Sequence, residues 1–126
     1  MFPEHLRYTK DHEWVQDDGN GIFKVGITDF AQRELGDIVF VELPLVGDTF
    51  EAEEEFGTVE AVKTVSQLFM PIAGEVIEIN STISDDPEVI NSDPYGEGWM
   101  IKIRPQKADD LQQLLTANTY QSLVSE

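Results

Sequence analysis

The run Phe56-Gly57-Thr58-Val59-Glu60-Ala61-Val62-Lys63-Thr64-Val65-Ser66-Gln67-Leu68-Phe69-Met70 decides how this chain folds. Side chains of a strand change face at every residue, so one strand needs apolar residues two apart. Val59, Val62, Val65 and Leu68 do not fit one uninterrupted strand. A tight reversal near Val62-Lys63, with a strand on each side, fits them better. The reversal puts Lys63 at an exposed tip between apolar neighbours.

Strand and turn signals continue outward in both directions. Upstream, Asp37 to Leu43 is an apolar, β-branched strand stopped by Pro44, and Gly47-Asp48 turns the chain again. Glu51 to Glu55 is an acidic, solvated face. Glu13 to Gln16 and Ile22 to Ile27 form a hairpin around the turn Asp17-Asp18-Gly19-Asn20-Gly21. That turn lacks the alternating ligands and distal glutamate of a calcium loop. Thr28 or Asp29 caps a short helix over Phe30 to Leu35, and Gly36 ends it.

Downstream, Pro71-Ile72-Ala73-Gly74 is a turn and Glu75 to Asn80 a strand. Asp86 followed by Pro87 predicts an N-cap and first helical position, with a short helix through Ile90. Asp93-Pro94-Tyr95-Gly96-Glu97-Gly98 is a long turn before a strand from Trp99 to Ile103, and Trp14 and Trp99 are candidate core residues. Asp109 or Asp110 caps a helix carrying Leu111, Leu114 and Leu115, and Tyr120 to Val124 is a last short helix, so residues 109–124 form a helical tail. The fold class is mainly β: a small sandwich or flattened barrel with short helices. The 126 residues make one domain, 1–126.

Composition narrows the function. With 25 acidic and 8 basic residues the formal charge is −17, which repels phosphate backbones and anionic lipid, so neither nucleic acid nor membrane is expected as a partner. The same field favours partners with positive docking patches. The chain has no cysteine, so any thiol chemistry must be imported. No apolar run reaches membrane-spanning length, and Met1 to Lys10 carries neither a signal core nor an Arg-rich import pattern, so a cytoplasmic protein, or a mature form already processed, is expected. His5 and His12, the two histidines, form no H-x-x-x-H or H-E-x-x-H pair, and no metal is expected.

Lys63 on its own supports two readings. One is a solvated turn lysine. The other is a modification site: an exposed amine at a tip, with stiff strands behind it to fix its position while an attached arm moves.

Five blocks in order carry a resemblance that favours the second. Tyr8-Thr9-Lys10-Asp11-His12-Glu13-Trp14 is similar to a Y-x-x-x-HEW opening. Val25 to Gln32 followed by Leu35 to Pro44 resembles a VGIT-D-x-AQ…LGD-x-V-x-VELP block. Glu60-Ala61-Val62-Lys63 resembles an ESVK lipoylation motif, Pro71 to Asn80 a P-x-x-GEV-x-E-x-N segment, and Asn91 to Trp99 an N-x-DPYGEGW signature. Together they resemble the glycine cleavage H-protein family of lipoyl carriers.

The resemblance implies a barrel-sandwich hybrid fold with lipoate covalently attached to Lys63. It implies a carrier without catalysis of its own. Its partners are a pyridoxal-phosphate glycine decarboxylase, an aminomethyltransferase, dihydrolipoyl dehydrogenase and a lipoate-attaching enzyme. It also implies a surface cleft that shelters the loaded arm. Two positions depart from the pattern: Ala61 stands where serine is usual, and Gln67 where an acid is frequent. A glutamine hydrogen-bonds an ammonium but does not neutralise it. Glu13 is therefore the expected carboxylate contact for the loaded arm, against the plainer reading of a strand-surface acid. Other functions stay open at this point: an H-like lipoyl donor to other complexes, a biotin carrier (though Val62 and Thr64 replace the flanking methionines usual there), or a small acid-catalysed hydrolase.

Overall fold

The structure is a computed structural model, and it describes residues 2–125. Nine strands form two antiparallel sheets. β1 (Arg7–Tyr8), β2 (Glu13–Asp17), β3 (Phe23–Ile27), β5 (Thr49–Phe50), β8 (Gly74–Ile79) and β9 (Ile101–Pro105) make a six-stranded sheet in the order β1-β2-β3-β9-β8-β5. β4 (Ile38–Glu42), β6 (Glu55–Ala61) and β7 (Val65–Phe69) make a three-stranded sheet in the order β4-β6-β7. The mainly β architecture with short helices matches the sequence reading.

Alternation drives the packing. Val15, Val25, Val76, Ile101 and Ile103 of the larger sheet and Ile38, Val41, Val59 and Leu68 of the smaller are buried in one cluster. Each such side chain contributes about 1.5–3 kcal/mol when fully buried. A second cluster joins the chain ends: Leu6, Tyr8 and Trp14 meet Ala117 and Tyr120. Tyr8 and Tyr120 stack with ring centroids 4.8 Å apart.

The local signals mostly do as chemistry dictates. In the β2–β3 turn, Asp17 accepts from the Gly19 amide at 2.9 Å, and Gly19, Asn20 and Gly21 take positive φ. This is a hairpin turn built from residues that tolerate the left-handed region. Helix α1 (Asp29–Leu35) begins at Thr28, whose hydroxyl accepts from the Ala31 amide, and ends at Gly36 with φ 81°.

Two short strands, β1 and β5, and four further elements differ from expectation. Helix α2 (Ser81–Asp85) was not foreseen; the Asn80 side chain caps it by accepting from the Thr82 amide at 3.1 Å. Asp86 closes α2 instead of opening a helix, and α3 (Val89–Ser92) starts after Glu88, which makes no side-chain cap. The last strand starts at Ile101 and includes Pro105, and Trp99 before it is only half-buried, with the Lys102 ammonium 5.2 Å from its ring centre. The helical tail is broken. Residues Ala108–Gln113 form a 3₁₀ turn, and α4 (Ala117–Val124) follows under a Thr116 cap. Between them Leu115 pairs with Tyr8 through two backbone hydrogen bonds of 2.8 and 2.9 Å. The open edge of β1 offers unpaired backbone groups, and satisfying them outweighs the helical spacing of Leu111, Leu114 and Leu115.

Trp14 is fully buried against Gly26, and a Cβ at Gly26 would lie 2.6 Å from the indole ring. The ring cannot slide freely, because its Nε1 donates to the Pro94 carbonyl at 3.0 Å. Gly26→Ala is expected to cost about 1–3 kcal/mol from overpacking, read as a lower urea midpoint; an unchanged midpoint would refute this tight contact.

Candidate functional site

Lys63 sits in a two-residue reversal, Val62-Lys63, between β6 and β7. Ala61 donates its amide to the Thr64 carbonyl at 2.8 Å, and Glu60 pairs with Val65 just behind. Neither reversal residue has positive φ, so the turn needs no glycine and a lysine fits at its tip. A second bond comes from outside the hairpin: the Val62 amide donates to the Asp37 carbonyl at 3.0 Å. Lys63 itself is exposed and makes no ion pair among the described residues.

Asn91 holds the backbone on both sides of Asp37. Its Oδ1 accepts from the Ile38 amide at 3.0 Å, and its Nδ2 donates to the Gly36 carbonyl and to Gln32 Oε1, both at 2.9 Å. One side chain thus fixes both flanks of Asp37 to the end of α1. The sequence showed Asn91 only as a motif letter; its partners lie more than fifty residues away.

Beyond the tip, a recess of about 380 Å³ opens between the edge of β7, helix α1 and the turn at Asp11-His12. Ser66 and Gln67 line the β7 side, Phe30 and Glu34 the helix, and Asp11 the turn. The helix wall is anchored from the far end of the chain. Tyr120 places its hydroxyl 2.8 Å from Thr28 Oγ1, the cap of α1, and 2.8 Å from His12 Nδ1. Burial of His12 pushes its pKa below the usual histidine value. His12 is tied to α4 and packs on Phe30.

Glu13 is not a strand-surface acid: it is 1% exposed. Thr9 Oγ1 donates to its Oε1 at 2.6 Å, and the Phe69 amide donates to its Oε2 at 3.2 Å. The carboxyl therefore links the larger sheet to the outer strand of the smaller. It borders a separate recess of about 190 Å³, lined also by Asp11, Glu53 and Leu115, and not the one that Gln67 borders. Burial pushes its pKa up to about 8, ahead of the opposing pull of its two hydrogen bonds. Ala61 is buried at the end of β6 opposite Ile38, a position that suits a small side chain. No cluster of three potential metal ligands occurs among the described residues, and no described helix is long and apolar enough to cross a membrane.

The sequence matches the description "Glycine cleavage H-protein" over residues 6–126. The chain belongs to the glycine cleavage H-protein family. It is 53% identical over 124 residues to the glycine cleavage system H protein of Bacteroides thetaiotaomicron, covering 98% of each chain. It is 56% identical to that of Anaeromyxobacter sp. (strain K), covering 98% of this chain and 96% of the relative. A crystal structure of the H protein from Mycobacterium marinum superposes with a TM-score of 0.90 at 42% identity, covering 98% of this chain and 99% of that one. The fold is thus the lipoyl-domain-like barrel-sandwich of the family, and the exposed turn lysine belongs to a carrier scaffold.

Two outcomes follow from this geometry. Asn91→Ala strips the buried Ile38 amide of its acceptor, and a loss of about 1–3 kcal/mol is expected in urea unfolding; a loss below a few tenths would show that Asn91 does not clamp the loop. For Glu13, the folded carboxyl holds its proton to about pH 8, while the unfolded one releases it near its ordinary value of 4.5. The folded state binds more protons between these values, so stability falls as pH rises through that window, by up to about 1.4 kcal/mol per unit. Glu13→Gln removes this component. Its stability relative to wild type should therefore improve from pH 5 to pH 8 in urea melts, and a difference independent of pH would contradict the assignment.

Proposed function

We propose that Lys63 carries lipoate in amide linkage and that the chain is a non-catalytic carrier in the cytoplasm. It takes the aminomethyl group of glycine from a pyridoxal-phosphate glycine decarboxylase to an aminomethyltransferase. It then presents the reduced arm to dihydrolipoyl dehydrogenase. The observation that carries this reading is the placement of Lys63: an exposed amine on a two-residue reversal whose backbone is bonded on both sides. Family membership supports it independently.

The residues present fit such a group. The amine is unpaired among the described residues, and the strands behind it are stiff, so the attachment point is fixed while the arm moves. Bound lipoate supplies the sulfur that this cysteine-free chain lacks. The protein's own residues position, shelter and present. Ser66 lies three residues beyond Lys63, about 10 Å along a strand at roughly 3.3 Å per residue, which a lysine extended by an eight-carbon acyl chain spans. The recess between β7 and α1 is therefore the resting place for the end of the arm. Tethering raises the effective concentration of that end at each partner's site.

Glu13 borders the neighbouring recess and not this one. Its hydrogen bonds hold the Thr9–Glu13 turn against the Phe69 end of β7, and contact with the loaded arm requires this buried packing to open.

Intact mass and peptide mapping after expression with lipoate test the reading. One lipoyl adduct is expected, confined to Lys63 and absent in Lys63→Arg. An unmodified Lys63 in cells that lipoylate other proteins would end it. Equal rates of cargo release from wild type and Glu13→Gln would remove Glu13 alone.

A further inference from the structure

The smaller sheet carries an apolar face that the fold does not use. Phe40 of β4 pairs with Glu60 of β6, and Glu60 pairs with Val65 of β7, so the three form one row across the sheet. Their inner neighbours Val41 and Val59 fill the core, which leaves this row on the outside. Phe40 is 50% exposed and Val65 59%. The row ends directly behind the reversal, where Val62 is 71% exposed. On the other side of the tip, Val39 and Val62 border a shallow recess whose acidic members are Asp37 and Glu88. Lys63 thus rises from a collar of four exposed apolar side chains set among carboxylates. Scattered exposed apolar residues need no explanation, but a contiguous patch does.

We propose that this collar is the docking surface for the enzyme that attaches lipoate to Lys63, and that the enzyme meets it with an apolar recess rimmed by basic residues. The inference rests on Lys63 being the lipoylation site. Reach selects the occupant. Enzymes that use the finished arm act at its sulfur end, a full acyl chain beyond the amine, and need not cover residues next to the tip. The attaching enzyme acts on Nζ itself, so its active site must close over whatever lies within one side-chain length of it. The collar residues surround the base of that turn on both sides. Charge selects the rim: Asp37, Glu60 and Glu88 surround the apolar side chains on a protein of net charge −17, and a basic partner surface is steered towards it at low ionic strength. Apolar anchors inside a polar rim are the usual arrangement of an interface with a few dominant residues.

Kinetics of lipoylation of the unmodified chain test this, using a lipoate–protein ligase that modifies wild type, with lipoate and ATP. Phe40→Asp and Val65→Asp are expected to lower kcat/KM at least tenfold, mainly through KM. Leu45→Asp, an exposed apolar residue beyond the far end of β4, should match wild type. Raising salt should raise the wild-type KM. Unfolding midpoints of the variants, with Val39→Ser as a milder third change, separate lost docking from lost folding. Wild-type rates in folded Phe40→Asp and Val65→Asp would overturn the proposal. So would normal lipoylation combined with failed exchange at the decarboxylase, which would give the face to that partner. Failure of wild type to be modified at Lys63 by any such enzyme would instead sink the lipoyl reading beneath it.

Discussion

A flexible side chain can be presented accurately only if its backbone is held by something other than itself. The lysine stem carries about 2 kcal/mol of rotamer freedom, so all precision at Lys63 comes from main-chain bonds. An isolated two-stranded hairpin is marginal in water. Here the bond from the Val62 amide to the Asp37 carbonyl ties the reversal to a second element, and Asn91 fixes that element to α1. The tip is therefore braced from two directions, with its lysine left in solvent.

Electrostatics complements the bracing. Four of the eight basic residues form ion pairs among the described residues: Lys10 with Asp11 and Glu53, Arg33 with Asp29, Lys102 with Asp18 and Glu78, Arg104 with Glu75. Such exposed pairs contribute little stability. They do leave Lys63 as a bare amine on a strongly acidic body. Glu13 is the exception to this solvated pattern. Its carboxyl is buried, satisfied by donors from the loop at Thr9 and from β7, and its cost is tolerated because it supplies an acceptor to the unpaired Phe69 amide at a sheet edge.

What could be seen in the sequence was local. The Val62-Lys63 reversal, the Thr28 and Gly36 caps and the Asp17–Gly21 turn each follow from residues within a few positions of one another. The Asn80 cap of α2 was visible in the same way, but Asp86-Pro87 offered a competing start, and tertiary packing placed it at the helix end. The broken tail was hidden because Leu115 answers to Tyr8, over a hundred residues away. Glu13 likewise looks like any strand acid until Phe69 and Thr9 surround it. In the candidate site, the lysine itself was legible and its neighbours were not: Asp11, Glu34 and Ser66 share a recess only because three distant segments converge.

The aromatic packing of Tyr120 governs the wall beside the lysine and not the lysine turn itself. The lysine hairpin is braced through Asp37 and Asn91, whereas the α1 wall is secured by Tyr120 against Thr28 and His12. The presented amine and the wall beside it thus answer to different contacts: unpacking one phenol loosens the shelter, while the braces behind the lysine stay closed.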